Sequence, residues 1–341
     1  MKKISVVLQG SLRLAVITLA YAYLPQAIAQ EPCPESDGDI GECKVLIEIN
    51  ATDGDIGFHF LIDAEDANAI RMTDPNGAKV FEDQAYGALR EQKMTETFVE
   101  SAEPLCWADP AADEEDREDV VSLRDFRETW EPGFYEIRVK GDGGEMVFGE
   151  TELTYNLPAA PDNVFFDGAS ITWTAGNDLG HCAPLADEGE GSAETVADVS
   201  DIIPDPTTVA VAAWEVVMEP DVEDGDPIGD EVFSIRISGD APLPLYVEVP
   251  AAYLASLPDD TPVKVEVGAI GFDANATFSE EDGFCVNEDE GCDDGPSECP
   301  LHAVGLQWLS VPIVHTADSP IAHDDGGDCD GEREKREPTP A

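Results

Sequence analysis

Cys43-Lys-Val-Leu-Ile-Glu-Ile-Asn50 and Ile56-Gly-Phe-His-Phe-Leu-Ile-Asp63, separated by a Thr-Asp-Gly-Asp turn, decide the fold class. Each run has the length of a strand, is rich in β-branched and aromatic residues, and alternates or stays apolar throughout. The Asp-Gly pair between them tolerates the positive φ that a tight turn requires. Two successive strands are therefore expected. Phe58 and Phe60 point to one side of the second strand and His59 to the other, which makes His59 a surface or satisfied half-buried histidine.

The same grammar continues outward. Asp74-Pro-Asn-Gly77 is a turn signal, and Lys79-Val-Phe81 restarts a strand. Further strands are expected at Thr95–Val99, Tyr135–Val139 and Glu145–Thr154. One short helix is expected at Ser122-Leu-Arg-Asp-Phe-Arg-Glu-Thr-Trp130, capped by Ser122, with Leu123, Phe126 and Trp130 on one face and Pro132-Gly133 ending it. Beyond the proline-containing linker Leu157-Pro-Ala-Ala-Pro161, short apolar segments alternate with long acidic loops. Candidate strands there are Ala169–Thr174, Val209–Glu219, Val232–Ser238, Tyr246–Val249, Pro262–Ile270 and Thr277–Val286. So many strands with no strong helical period predict an all-β protein of two β-sandwich domains, residues 43–157 and 158–286, with acidic tails.

The second of these resembles a fibronectin type III domain. Pro161-Asp-Asn-Val is similar to the start of that family's first strand, and Ala169-Ser-Ile-Thr-Trp-Thr174 to the second, with Trp173 in the core. Val211-Ala-Ala-Trp-Glu-Val-Val217 resembles the third strand, Val247-Glu-Val-Pro250 and Leu254–Val267 the fifth and sixth, and Gly271–Ser279 the hairpin leading to the last. Two features depart from the family: Leu257–Val263 lacks the tyrosine usual at the start of the sixth strand, and the connection 175–208 is long. The resemblance implies an immunoglobulin-like binding or spacer scaffold and names no ligand. Residues 43–157 carry no such resemblance, and no repeat links the two halves.

Charge and cysteine bound the partners. The 341 residues hold 74 acids against 18 Lys and Arg, a net charge of −56. Such a surface repels phosphate backbones and anionic membranes, holds water and cations, and suits high ionic strength. Lys2 and Lys3, an apolar run at 14–24 and small residues Ala27 and Ala29 form a secretory signal peptide over 1–29. A secreted, periplasmic or extracellular protein is expected, without membrane insertion. Its eight cysteines then read as disulfides, with Cys33–Cys43 and Cys292–Cys299 the local pairings. Residues 30–42 form an acidic N-terminal segment and 287–341 an acidic, Cys-containing C-terminal one, disordered from about 318.

Chemical signatures are sparse. No HExxH, GxSxG, P-loop or dinucleotide fingerprint occurs, so no enzyme activity and no cofactor is expected. Calcium is the one metal considered, through Asp53 and Asp55 with Asp63 later in the strand, and through Asp224 and Asp226 in the loop 221–230; neither matches an EF-hand. Trp107, Trp130 and Trp308 could form a sugar platform, while Trp173 and Trp214 belong to a core. Asn50-Ala-Thr52 and Asn275-Ala-Thr277 are sequons that read as turn chemistry. A non-enzymatic module for extracellular interaction or assembly, with an unknown protein or glycan partner, is the reading these features favour. The alternatives are a calcium-dependent binding module and a secreted hydrolase with an unrecognised carboxylate pair.

Overall fold

The computed structural model describes Cys33 and residues 40–109, 120–185, 191–222, 226–229 and 231–286. The leader, most of the segment 30–42, the tail from 287, the proposed Cys292–Cys299 pair, Asp224 and Trp308 lie outside the described residues.

Each strand expected in the first half forms, and a seventh, Ala69–Thr73, joins them where none was expected. β1 (Ile40–Asn50), β2 (Asp55–Ala67) and β5 (Met94–Glu100) form three adjacent antiparallel strands, while β3 (Ala69–Thr73), β4 (Lys79–Gln84), β6 (Gly133–Lys140) and β7 (Met146–Leu153) form a separate sheet ordered β4-β3-β6-β7. In the second half, β8 (Pro161–Phe166), β9 (Ser170–Ala175) and β12 (Leu245–Glu248) form a sheet ordered β12-β9-β8. Facing it are β10 (Val211–Pro220), β11 (Phe233–Ser238), β13 (Pro262–Gly271) and β14 (Ala276–Cys285), ordered β11-β10-β13-β14. Numbered within each half, both sandwiches read 5-2-1 on one sheet and 4-3-6-7 on the other. The chain therefore contains a structural repeat that its residues do not announce.

Alternation explains each core. Val45, Ile47 and Ile49 of β1 and Ile56, Phe58, Phe60 and Ile62 of β2 point into the first sandwich, against Ile70, Met72, Tyr135, Ile137 and Val139 of the opposing sheet. Trp130 closes this core by stacking on Phe58, with ring centroids 3.9 Å apart. It ends the helix Leu123–Thr129, whose N-cap Ser122 accepts from Asp125 N and whose Leu123 and Phe126 are buried. A second short helix, Gly87–Gln92, buries nothing and had no apolar face to reveal it, so among the described residues the one helix expected in the first domain becomes two. In the second sandwich Trp173 and Trp214 meet edge to face at 6.0 Å among Val216, Val265 and Val267.

The junction departs most from expectation. β1 pairs in parallel with β14 through Glu48, Ile49 and Asn50, so sheets of both sandwiches merge into seven strands, β11-β10-β13-β14-β1-β2-β5. Asn275, 1% exposed, clamps the seam: its Oδ1 accepts from Ile47 N at 2.8 Å and its Nδ2 donates to Thr154 O at 3.1 Å. The segment 157–161 is no free linker. Leu157, Ala159 and Ala160 are buried, and Ala159 N and Ala160 N donate to Pro206 O and Asp178 O.

Candidate functional site

The hairpin β1–β2 sets out the most concentrated chemistry. Its turn is built by Asn50, whose Oδ1 accepts from Thr52 N and Asp53 N at 3.1 Å, and by Gly54 at φ +75. Counting outward from this turn, the antiparallel register pairs Asp55 with Asn50, Gly57 with Glu48, and His59 with Leu46. β5 then places Glu100 beside His59. Glu48, Gly57, His59 and Glu100 thus share the face turned away from the first core. The chain leaving β5 lays Glu103 over the same spot, with its Oε1 3.3 Å from His59 Nε2.

His59 was expected to be satisfied on or near the surface. It does face away from Phe58 and Phe60, but it is only 5% exposed and its Nε2 makes no hydrogen bond, the approach of Glu103 lacking the required geometry. One ligand atom each from Glu48, His59 and Glu103 lie within 4.8 Å of one another. Burial first, then Glu266 and Glu103, hold the Glu48 carboxyl well above the usual range.

Carboxylates extend along this face into the second sandwich. Glu266 of β13 is pushed up to about 8 by burial and by Glu280. Lys264 reaches Glu219 and Glu280 at 3.2 Å each, and Arg236 holds the fully buried Glu215 at 2.7 Å. The second sandwich thus supplies cations to its buried acids, whereas around Glu48 the corresponding partner is an imidazole.

The calcium candidates are dispersed. Asp53 accepts from Asn50 Nδ2 at 2.9 Å, and Asp55, 9% exposed, is pushed up to about 7 by burial, Glu103 and Asp53. These two share the turn. Asp63 does not join them, because it lies opposite Glu42, eight residues along an extended strand and so about 27 Å away. Asp226 accepts from Ile228 N in a local turn. The sugar-platform tryptophans are engaged as well: Trp130 covers Phe58, and Trp107 stacks on His181 at 4.2 Å. Of the two sequons, Asn50 builds its turn and Asn275 is buried in the seam.

The long connection 175–208 has a structural task. Leu179, Cys182, Ala183, Val199 and Ile203 enter the core of the first sandwich, and Cys182 is disulfide-bonded to Cys106 across 76 residues of sequence. Arg124 of the first sandwich binds Glu194 at 3.3 Å and Asp201 at 2.8 Å. Cys33–Cys43 forms as expected, and Cys285 is disulfide-bonded too.

The missing tyrosine also has an answer. Tyr135, at the start of the sixth strand of the first sandwich, donates its hydroxyl to Glu131 O at 3.2 Å, which is the corner contact absent from the second. The second sandwich is fibronectin type III-like in fold, and the first repeats its strand order. No protein-family profile matches the sequence, and no curated protein does. Solved structures that the chain resembles include fibronectin type III modules. A two-domain fibronectin type III segment of chicken tenascin is 10% identical and covers 72% of this chain and 99% of its own, with a TM-score of 0.19. A tetra-tandem repeat from the extending region of a large adhesion protein is 12% identical, covering 72% and 50%, at 0.21. Fibronectin(III)-like modules of Clostridium thermocellum CbhA are 9% identical, covering 70% and 92%, at 0.18. The likeness in fold stands on strand order and on the corner tyrosine.

Proposed function

We propose that this chain is an exported, non-enzymatic module that presents a fixed surface for extracellular interaction or assembly with a protein or glycan. One observation carries this reading: the connection 175–208 of the second sandwich is built into the core of the first and held there by Cys106–Cys182. Sandwiches joined only by a linker would move relative to one another and lose that freedom on binding. Here it has already been lost on folding. The leader and the disulfides fit an oxidising compartment, and the acidic coat fits a saline one.

The surface most suited to contact lies on the sheet β12-β9-β8. Tyr246, 51% exposed, stands opposite Thr172, and Phe165, 54% exposed, pairs with Thr172 from the other side. Two aromatic faces held outward on a rigid sheet suit a sugar ring or a partner's apolar side chain. Retention of the mature protein on cell envelopes and on isolated polysaccharides, measured at high salt, tests the reading. Saturable retention that falls at least about tenfold in a Tyr246→Ala/Phe165→Ala variant is expected, since stacking contributes about 0.5–1.5 kcal/mol for each of the two aromatics. Steady turnover of ester, peptide or glycoside substrates by the wild-type chain would show an enzyme instead.

A further inference from the structure

Gly57 adopts a backbone conformation open to any residue, since it is not among the glycines at positive φ. Space is what demands a glycine there. A Cβ at this position would stand 2.5 Å from His59 Nε2 and 2.8 Å from Glu103 Oε1. The missing side chain therefore makes room for His59 and Glu103 to bring these two donor atoms together over the strand, directly across the ladder from Glu48.

The second feature is independent of that clearance. His59 is buried, and its Nε2, a lone-pair donor in the neutral imidazole, is aimed into the same space without a hydrogen-bond partner. A buried polar atom left in this way is costly unless something binds it. We propose that Glu48, His59 and Glu103 form a binding site for a divalent transition-metal ion of the zinc class.

Geometry and donor type both select this class. Tetrahedral zinc with bonds of about 2.0–2.1 Å sets its donors about 3.3 Å apart. The His59–Glu103 separation is already 3.3 Å, and the donor atoms, all within 4.8 Å of one another, need only side-chain adjustment to close. Calcium and magnesium prefer all-oxygen shells with more ligands, whereas imidazole with carboxylates suits zinc, cobalt or manganese. Glu100, beside His59 on β5, stands outside this group of three, and a water completes the shell. Three of the elements carrying these groups, β1, β2 and β5, belong to one sheet, so the ion would tie the edge of the seven-stranded sheet to its centre.

The test uses the mature full-length chain, stripped with chelator and held at high ionic strength with excess magnesium to occupy the acidic coat. Zinc is titrated calorimetrically, and cobalt by its visible absorption, with calcium as a parallel arm. One tight equivalent of zinc is expected, together with the intense cobalt bands of a four-coordinate nitrogen- and oxygen-ligated site. His59→Gln and Glu103→Gln should each weaken binding by at least about tenfold, and Gly57→Ala should do so while leaving every donor in the sequence. Thermal unfolding of the metal-free variants checks that each is folded; Glu103→Gln, on the segment after β5, is the least disruptive. Zinc binding of equal affinity and stoichiometry in wild type, His59→Gln and Glu103→Gln would overturn the proposal, as would zinc binding no tighter than magnesium or calcium.

Discussion

The two sandwiches share a strand order and almost nothing else. In the first, β2 passes to β3 through Asn68 alone; in the second, β9 and β10 are separated by the whole stretch between Ala175 and Val211. The first has its corner fixed by Tyr135 and its core finished with Phe58, Trp130 and Tyr135. The second has no such tyrosine and is organised around two tryptophans, with Leu257 buried in the approach to its sixth strand. The strand order is therefore compatible with different corner and core chemistry, while the long connection of one copy has become part of the other's core. The unit of stability is then the pair.

Removing Cys106–Cys182 strikes hardest at that pairing. Its loop of 76 residues is long, so in the loop-entropy picture the bond contributes about 4 kcal/mol. A Cys106→Ala/Cys182→Ala variant should unfold in two calorimetric transitions where wild type shows one, the first at a markedly lower temperature. A single transition at an unchanged temperature would mean that the sandwiches are independent and the insertion is ornamental. Asn275→Ala attacks the seam more gently. It leaves the buried Ile47 N–H without an acceptor, at a cost of about 2 kcal/mol, and should accelerate hydrogen exchange at Ile47 and its β1 neighbours before it affects Trp214 in the second core. Equal acceleration in both cores would show that the seam transmits everything.

Local structure was legible wherever periodicity and turn chemistry act over a few residues. The β1–β2 hairpin, the Asp74–Gly77 turn and the Ser122 cap follow from their own residues, and so do most strands of the second sandwich. The repeat was not legible because 5-2-1 and 4-3-6-7 are statements about which strands touch, and alternation constrains faces, not neighbours. The corner tyrosine lies in Glu131-Pro-Gly-Phe-Tyr135, in the half whose residues carry no family resemblance. The Glu48–His59–Glu103 group was half legible. Given the hairpin, counting from the turn places Glu48 opposite Gly57 and His59 one alternation on; Glu103 arrives on the segment that follows the edge strand β5, which no local pattern foretells. Asp63 failed as a partner of Asp55 for the converse reason, since sequence proximity along an extended strand is distance in space.

The smallest expected effect sharpens the contrast between the acids of the two halves. Glu266 is raised to about 8 from an ordinary carboxyl near 4.5, first by burial and then by Glu280, so the native state holds a proton that the unfolded chain releases between those values. The stability this proton confers is complete below the unfolded value and is lost as pH rises through about 8. Wild type should therefore become less stable from pH 5 to pH 8 at matched high salt. Glu266→Gln keeps the shape but cannot ionise, so its stability relative to wild type should grow across the same window, by about 1 kcal/mol once screening and the neighbouring Lys264 are allowed for. Chemical denaturation at both pH values measures it. A difference that stays flat with pH would place Glu266 in effective contact with water, and the acids of the second sandwich would then be held apart by solvent and not by Lys264 and Arg236.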